Sequence, residues 1–277
     1  MQTQVGAQAE AEQKLVNSRF EKLVSEWAEI YERQGFDEFI FQERMRIVLD
    51  MVGRIGLPSQ TRVLEVGCGA GVYTLALAKM GHLVDAIDPV QTMVDATRER
   101  ARRGGQEHRV RSNLGDVHAL GFPNETFGLV LAIGVFPWLS SIEQPLQEMY
   151  RVIRPGGYLV ITVNNRWGLQ QLLEPLSNPI LRPAKELARR LLRRRPKVRP
   201  YVIRLRHCDA LLNTSGFEKL ESLTLGFGPF SVFGCKLLPS SLGLKLHCRL
   251  QALAERGFPV LRAGGSKYIV LVKKHDG

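Results

Sequence analysis

The sequence predicts an α/β protein, an open and mostly parallel β-sheet covered by helices on both faces. Three observations predict it. Between residues 61 and 164, short apolar runs alternate with stretches of helical periodicity. One of those runs leads straight into a glycine-rich turn, Val63-Leu64-Glu65-Val66-Gly67-Cys68-Gly69-Ala70-Gly71. Acidic residues (Glu65, Asp88 and Asp116) stand at the ends of three consecutive predicted strands. The chain has 277 residues, enough for one large domain or a core with an appendage, and its 44% hydrophobic and 23% charged content excludes wholesale disorder.

The elements follow in order. Leu15, Phe20, Leu23, Val24, Trp27, Ile30 and Tyr31 recur at three- and four-residue steps, which predicts one helix over 10–34. A second helix is predicted near 38–55, with Phe39, Met45, Val48, Leu49 and Val52 inward and Pro58 closing it. Strands are predicted at 62–66, 82–88, 110–116, 127–135 and 158–163, with helices at 70–80, 90–103 and 142–153 and a turn at Pro155-Gly156-Gly157. Beyond residue 164 the rhythm breaks. Helical pieces interrupted by Pro175, Pro179 and Pro183 fill 167–195, and a helix at 207–215 ends on Gly216. A strand at 217–225, an irregular stretch at 226–243, a helix at 244–256 and a last strand at 267–273 complete the chain. Without a low-complexity linker, this tail is expected to fold onto the core.

Several classes are set aside by composition. The longest apolar run, Leu129–Leu139, is short of the ~20 residues that span a bilayer, and no secretory signal is readable at the N-terminus. Cys68, Cys208, Cys235 and Cys248 form no C-x-x-C pair, so neither a disulfide framework nor a metal site is expected, and a reducing cytoplasm is the expected location. The net charge of +11 is local: residues 182–204 hold ten Lys/Arg against one acid, whereas the first 60 residues carry seven basic and ten acidic groups.

The glycine turn carries most of the functional information. Ligands of open parallel sheets bind at the carboxyl ends of strands, where glycines let the backbone turn sharply and approach a ligand. A dinucleotide turn needs G-x-G-x-x-G, but Val72 stands where the third glycine would be. Glu65 beside the turn repels a pyrophosphate and suits an ammonium. Asp88, at the end of the second strand, has the acceptor-only oxygens that vicinal ribose hydroxyls require, and Asp116 is placed to accept from an adenine amine.

VLEVGCGAG, VDAIDPVQTMV, GDVHALGFPNETF and RVIRPGGYLVIT resemble the successive motifs of class I S-adenosylmethionine-dependent methyltransferases, most of all the type 11 small-molecule subgroup. The resemblance covers about 60–164. It implies S-adenosyl-L-methionine as cofactor and a Rossmann-like, seven-stranded, mostly parallel sheet whose last strand is antiparallel, with 217–225 and 267–273 as the closing pair. It also implies residue roles. Glu65, Gly67 and Gly69 would hold the methionine end, Asp88 the ribose and Met93 the adenine face. Asp116 and Val117 would read the adenine edge, and Ile133 would close the pocket. The N-terminal helices, with Trp27, Tyr31 and Arg44, resemble the lid of quinone, porphyrin and lipid methyltransferases; Tyr31 or Arg44 would reach the cofactor carboxylate, or else pack and be solvated. The chain then divides into a helical lid at 1–60, a cofactor-binding core at 61–165, a basic helical insertion at 166–216, and closing strands with an inserted substrate-lid region at 217–277.

Two departures bear on the acceptor. Phe127-Gly128-Leu129-Val130 replaces the F-D-x-V of many relatives, and Val135-Phe136-Pro137-Trp138 offers no acid or histidine, so no catalytic base transfers. Among the histidines, His118, His207 and His247 lie in candidate regions; His207, where a base could approach the acceptor, reads as a surface or capping histidine before a base. Phe136 and Trp138 form either an apolar pocket mouth or core. The Arg-rich segment suits an anionic membrane surface or lipid substrate, a solvated lid helix, or RNA phosphates. The expected function is methyl transfer to a small, hydrophobic or membrane-derived acceptor, at oxygen before carbon; an RNA-modifying enzyme and a non-catalytic cofactor-binding module are the alternatives.

Overall fold

The computed structural model describes residues 13–31, 33–139, 141–175, 178–181, 200–233 and 235–276. Its main sheet contains β1 (Arg62–Val66), β2 (Leu83–Asp88), β3 (Val110–Leu114), β4 (Phe127–Ala132), β5 (Ile153–Asn164) and β6 (Phe217–Leu225). A two-residue hairpin, β7 (Ser231–Val232) and β8 (Cys235–Lys236), stands apart, and β9 (Lys267–Lys274) returns to the main sheet. The seven strands run in the order β3-β2-β1-β4-β5-β9-β6, all parallel except β9, which pairs antiparallel with both β5 and β6. Strand order reverses between β1 and β4, which opens a crevice at their carboxyl ends.

Burial on both faces explains why β4 and the second half of β5 are almost continuously apolar, whereas the outer strands β3 and β6 carry polar residues. Leu64 and Val66 face one core with Phe127, Met149, Phe217 and Val270. Val63, Leu129 and Leu271 face the other, where helix Phe36–Ile55 supplies Ile47, Val48, Met51 and Val52. That helix is therefore part of the core, while residues 13–31 reach across the crevice.

The structure differs from the sequence reading at several places. The strand expected at 127–135 ends at Ala132. The single helix expected over 10–34 is divided: residues 13–22 are helical, Leu23 leaves helical geometry at ψ 10°, and Val24–Glu29 resumes. β3 ends at Leu114, so Asp116 lies in the following turn and not in the strand. Pro155-Gly156-Gly157 does not separate two elements but bulges within β5, whose pairing with β4 skips from Ile153 to Tyr158. The helix expected at 244–256 begins earlier, at Ser240, directly after Pro239. The stretch read as irregular also holds the β7–β8 hairpin. The basic run 182–199 lies outside the described residues, so the expected membrane contact through 182–204 has no structural counterpart here. Among the described residues no helix is long and apolar enough to cross a membrane, and no group of three His, Cys, Asp or Glu side chains is placed to hold a metal.

Candidate active site

The turn after β1 is built from backbone. The N–H groups of Gly67 and Cys68 donate to the Ile87 carbonyl at 2.8 and 3.0 Å, which ties the turn to β2. Glycine is required twice. Gly67 has φ 67°, and a Cβ there would stand 2.5 Å from Val135 Cγ2; Gly71 has φ 76°, with a Cβ 2.8 Å from Thr97 Cα. Asp88 braces the turn by accepting from Gly69 N–H at Oδ2 and from Val90 N–H at Oδ1, each at 3.0 Å.

Above the turn lies a cavity of about 610 Å³ whose two halves differ in charge. The β1–β3 half carries Glu65, Asp88, Asp116 and His118. Glu65 is 2% exposed, and the Thr74 hydroxyl donates to its carboxylate. Burial pushes its carboxyl up to about 8, with the Thr74 donor opposing and the Asp88 charge adding. Burial also raises Asp88, against the Gly69 and Val90 donors. At Asp116, burial acts upward but is outweighed by His118, whose backbone N–H and ring Nδ1 meet Oδ1 at 2.9 and 2.7 Å, so the carboxyl falls below its ordinary value.

The Glu65 shift has a measurable consequence. Between its unfolded value near 4.5 and its folded value of about 8, the folded carboxyl keeps a proton that the unfolded one releases, so stability falls as pH rises through that window. The ligand-free protein is expected to lose up to about 1.4 kcal/mol per pH unit there, and Glu65→Gln to flatten the slope. Urea unfolding at pH 5 and pH 8 checks this; identical pH slopes in the two proteins would contradict it.

The β4–β5–β9 half holds Thr162, Asn164, Lys267 and Arg44 and carries no carboxylate or histidine among its described lining residues. Thr162 Oγ1 accepts from Gly134 N–H at 2.7 Å, shaping the exit of β4. Arg44 is 6% exposed, lies 4.7 Å from the centre of the Phe41 ring and donates to Tyr31 Oη at 3.0 Å, while its buried Nε has no partner among the described residues. Lys267 Nζ donates to Asn164 Oδ1 at 2.7 Å, and burial, then the Arg44 charge, pushes its ammonium down to about 8. Phe20 packs edge to face on Trp138 at 5.1 Å between ring centres and Trp27 does so on Phe41, while Phe20 and Trp27 meet at a tilt of 41°; the four form an aromatic roof.

All eight residues read as cofactor-binding, Glu65, Gly67, Gly69, Asp88, Met93, Asp116, Val117 and Ile133, stand on the wall of this one cavity, as do Tyr31 and Arg44. The Phe136/Trp138 pair divides: Phe136 is 1% exposed in the core, and Trp138 lines the cavity. The histidines divide as well. His118 is on the wall, engaged by Asp116. His207 is exposed on helix Leu205–Thr214 and absent from the wall, which removes the ground for reading it as a base. His247 is buried against Phe36 and Phe39 and accepts from Phe227 N–H at 3.2 Å, a packing role. Sequence reasoning missed Tyr73, Thr162, Asn164 and Lys267; the one available signal for Lys267 was a lysine opening an otherwise apolar strand.

Comparison with known proteins agrees with this geometry. A family profile described as a methyltransferase domain matches residues 64–161. The chain is 32% identical over 117 residues to methyltransferase GfsG of Streptomyces halstedii, covering 42% of each protein. It is 30% identical over 111 residues to the malonyl-[acyl-carrier protein] O-methyltransferase of Serratia marcescens, covering 40% of this chain and 41% of that one. Each match thus spans about two fifths of the relative's own length. The magnesium protoporphyrin IX methyltransferase of Synechocystis PCC 6803, solved with bound SAH, superposes with a TM-score of 0.64 over 95% of this chain and 99% of that chain at 15% identity, a likeness of fold. Residues 64–161 thus form a methyltransferase domain, with the seven-stranded sheet and glycine turn of the class I S-adenosylmethionine-dependent methyltransferases.

Proposed function

We propose that the chain transfers the methyl group of S-adenosylmethionine to a small acceptor with a largely apolar body, at oxygen in preference to carbon. One observation carries the reading: a single cavity joins the carboxylates of Glu65 on β1, Asp88 at the end of β2 and Asp116 in the turn after β3 to an aromatic chamber across the glycine turn. The residues fit the cofactor. Glu65 is a buried acid with one hydroxyl donor, a site that an ammonium would complete. Asp88 has a remaining lone pair on each oxygen for the ribose hydroxyls, Met93 and Val117 offer apolar faces to the adenine, and Arg44 reaches the cofactor carboxylate. The bound cofactor would supply a sulfonium methyl group, open to in-line attack by an acceptor lone pair with the thioether as leaving group. The chain contributes alignment of donor and acceptor along the exit of β4, and exclusion of water by the aromatic roof. An O-methyltransferase among the relatives supports oxygen as the acceptor atom.

Incubation with methyl-labelled cofactor and separate fractions of small metabolites, lipids and RNA tests this. Label is expected in a small-molecule or lipid product; label confined to RNA, or no turnover in any fraction, would overturn it.

A further inference from the structure

The acceptor half of the cavity has a charge with no counterpart. Glu65 and Arg44 are matched, in the proposed reading, by the ammonium and carboxylate of the cofactor, which leaves Lys267 over. Among the described residues Lys267 makes no ion pair, and its one hydrogen-bond partner is the neutral Asn164. The Asn164 amide nitrogen, for its part, donates to no acceptor among the described residues, so two sets of donors converge at the rim where β9 begins and β5 ends. Asp37 is the one carboxylate whose charge reaches it, without forming an ion pair. A cation desolvated beside a second cation with no carboxylate in contact is costly unless a ligand neutralises it. Among the described residues the wall around it supplies no carboxylate or histidine: the acids and the histidine of the cavity are all on the β1–β3 half.

We propose that the acceptor enters as a carboxylate with an apolar body, and that Lys267 and Asn164 hold that carboxylate beside the methyl donor. The inference rests on the methyltransferase reading above and narrows it. A carboxylate explains both the leftover cation and the lack of a base, because it is already ionised at neutral pH. In the step it implies, a carboxylate oxygen lone pair forms the new O–CH3 bond while the S–CH3 bond breaks and leaves its electron pair on sulfur. The product is a methyl ester, and no proton moves. The aromatic roof of Phe20, Trp27 and Trp138 receives the apolar body.

Octanoate and octanol share a chain and differ in charge. Calorimetric titration of the SAH-saturated full chain with each is the test, on the wild type, Lys267→Met and Lys267→Arg, with SAH affinity recorded on every sample. Octanoate is expected to bind wild type about tenfold or more tightly than octanol, the preference to vanish in Lys267→Met, and most of it to survive in Lys267→Arg. Equal binding of the two probes, tighter binding of octanol (as a neutral Lys267 acting as base would favour), or a preference that persists in Lys267→Met would overturn the carboxylate assignment while leaving the methyltransferase reading in place. Failure of the wild type to bind SAH would overturn both.

Discussion

Asp88→Ala is expected to weaken SAH binding by about 10- to 150-fold, equivalent to ~1.5–3 kcal/mol, the range for hydrogen bonds to a charged group. The residue has two tasks that the alanine removes together. Its oxygens accept from the N–H groups of Gly69 and Val90, which fixes the glycine turn, and their remaining lone pairs face the cavity where ribose hydroxyls are proposed to sit. Asp88→Asn separates the tasks, since its amide retains one acceptor oxygen for the backbone but replaces the other with a donor. Calorimetry on the two variants should therefore show a weaker but folded asparagine form. An unchanged dissociation constant in Asp88→Ala would remove the residue from the site.

Arg44→Met is expected to act in opposite directions on the empty and loaded protein. Without ligand, Arg44 is a buried charge with a tyrosine hydroxyl and an aromatic ring for company, no ion pair among the described residues, and an orphaned Nε. Replacing such a group by an apolar side chain of similar length is often neutral or stabilising, so the melting temperature of the ligand-free variant should hold or rise. With ligand, the same guanidinium is proposed to meet the cofactor carboxylate, and losing one partner of a buried charge pair costs about 2 kcal/mol or more. The rise in melting temperature on adding SAH should accordingly shrink. A ligand-free protein that is strongly destabilised while keeping its SAH affinity would assign Arg44 to packing alone.

What was legible in the sequence and what was not divide along one physical line. Glu65, the glycines and Asp88 act through local geometry: a strand, a turn and a strand end are each written in fewer than ten consecutive residues, and their pairing, such as Glu65 with Ala86 across β1 and β2, follows from the parallel register. The acceptor half depends on contacts that no local pattern encodes. Lys267 meets Asn164 across 103 residues, and only the antiparallel insertion of β9 beside β5 brings them together. Trp138 and Phe136 are two residues apart in an apolar run, and a 3-10 turn at Phe136–Trp138 sends one to the cavity and the other to the core. The division of the N-terminal helix at Leu23 was hidden for the same reason: its apolar spacing continues through the break, and it is the packing of Phe20 on Trp138 and of Trp27 on Phe41 that sets where each piece lies.

The central claim is that the crevice over the glycine turn takes a sulfonium nucleoside in one orientation. A crystal structure of the full chain with SAH measures it directly. The expected result places the ribose hydroxyls within about 3 Å of the Asp88 carboxylate, the amino group at Glu65 and the sulfur facing the exit of β4 near Ile133. SAH bound elsewhere, or reversed with its adenine against Glu65, would contradict it.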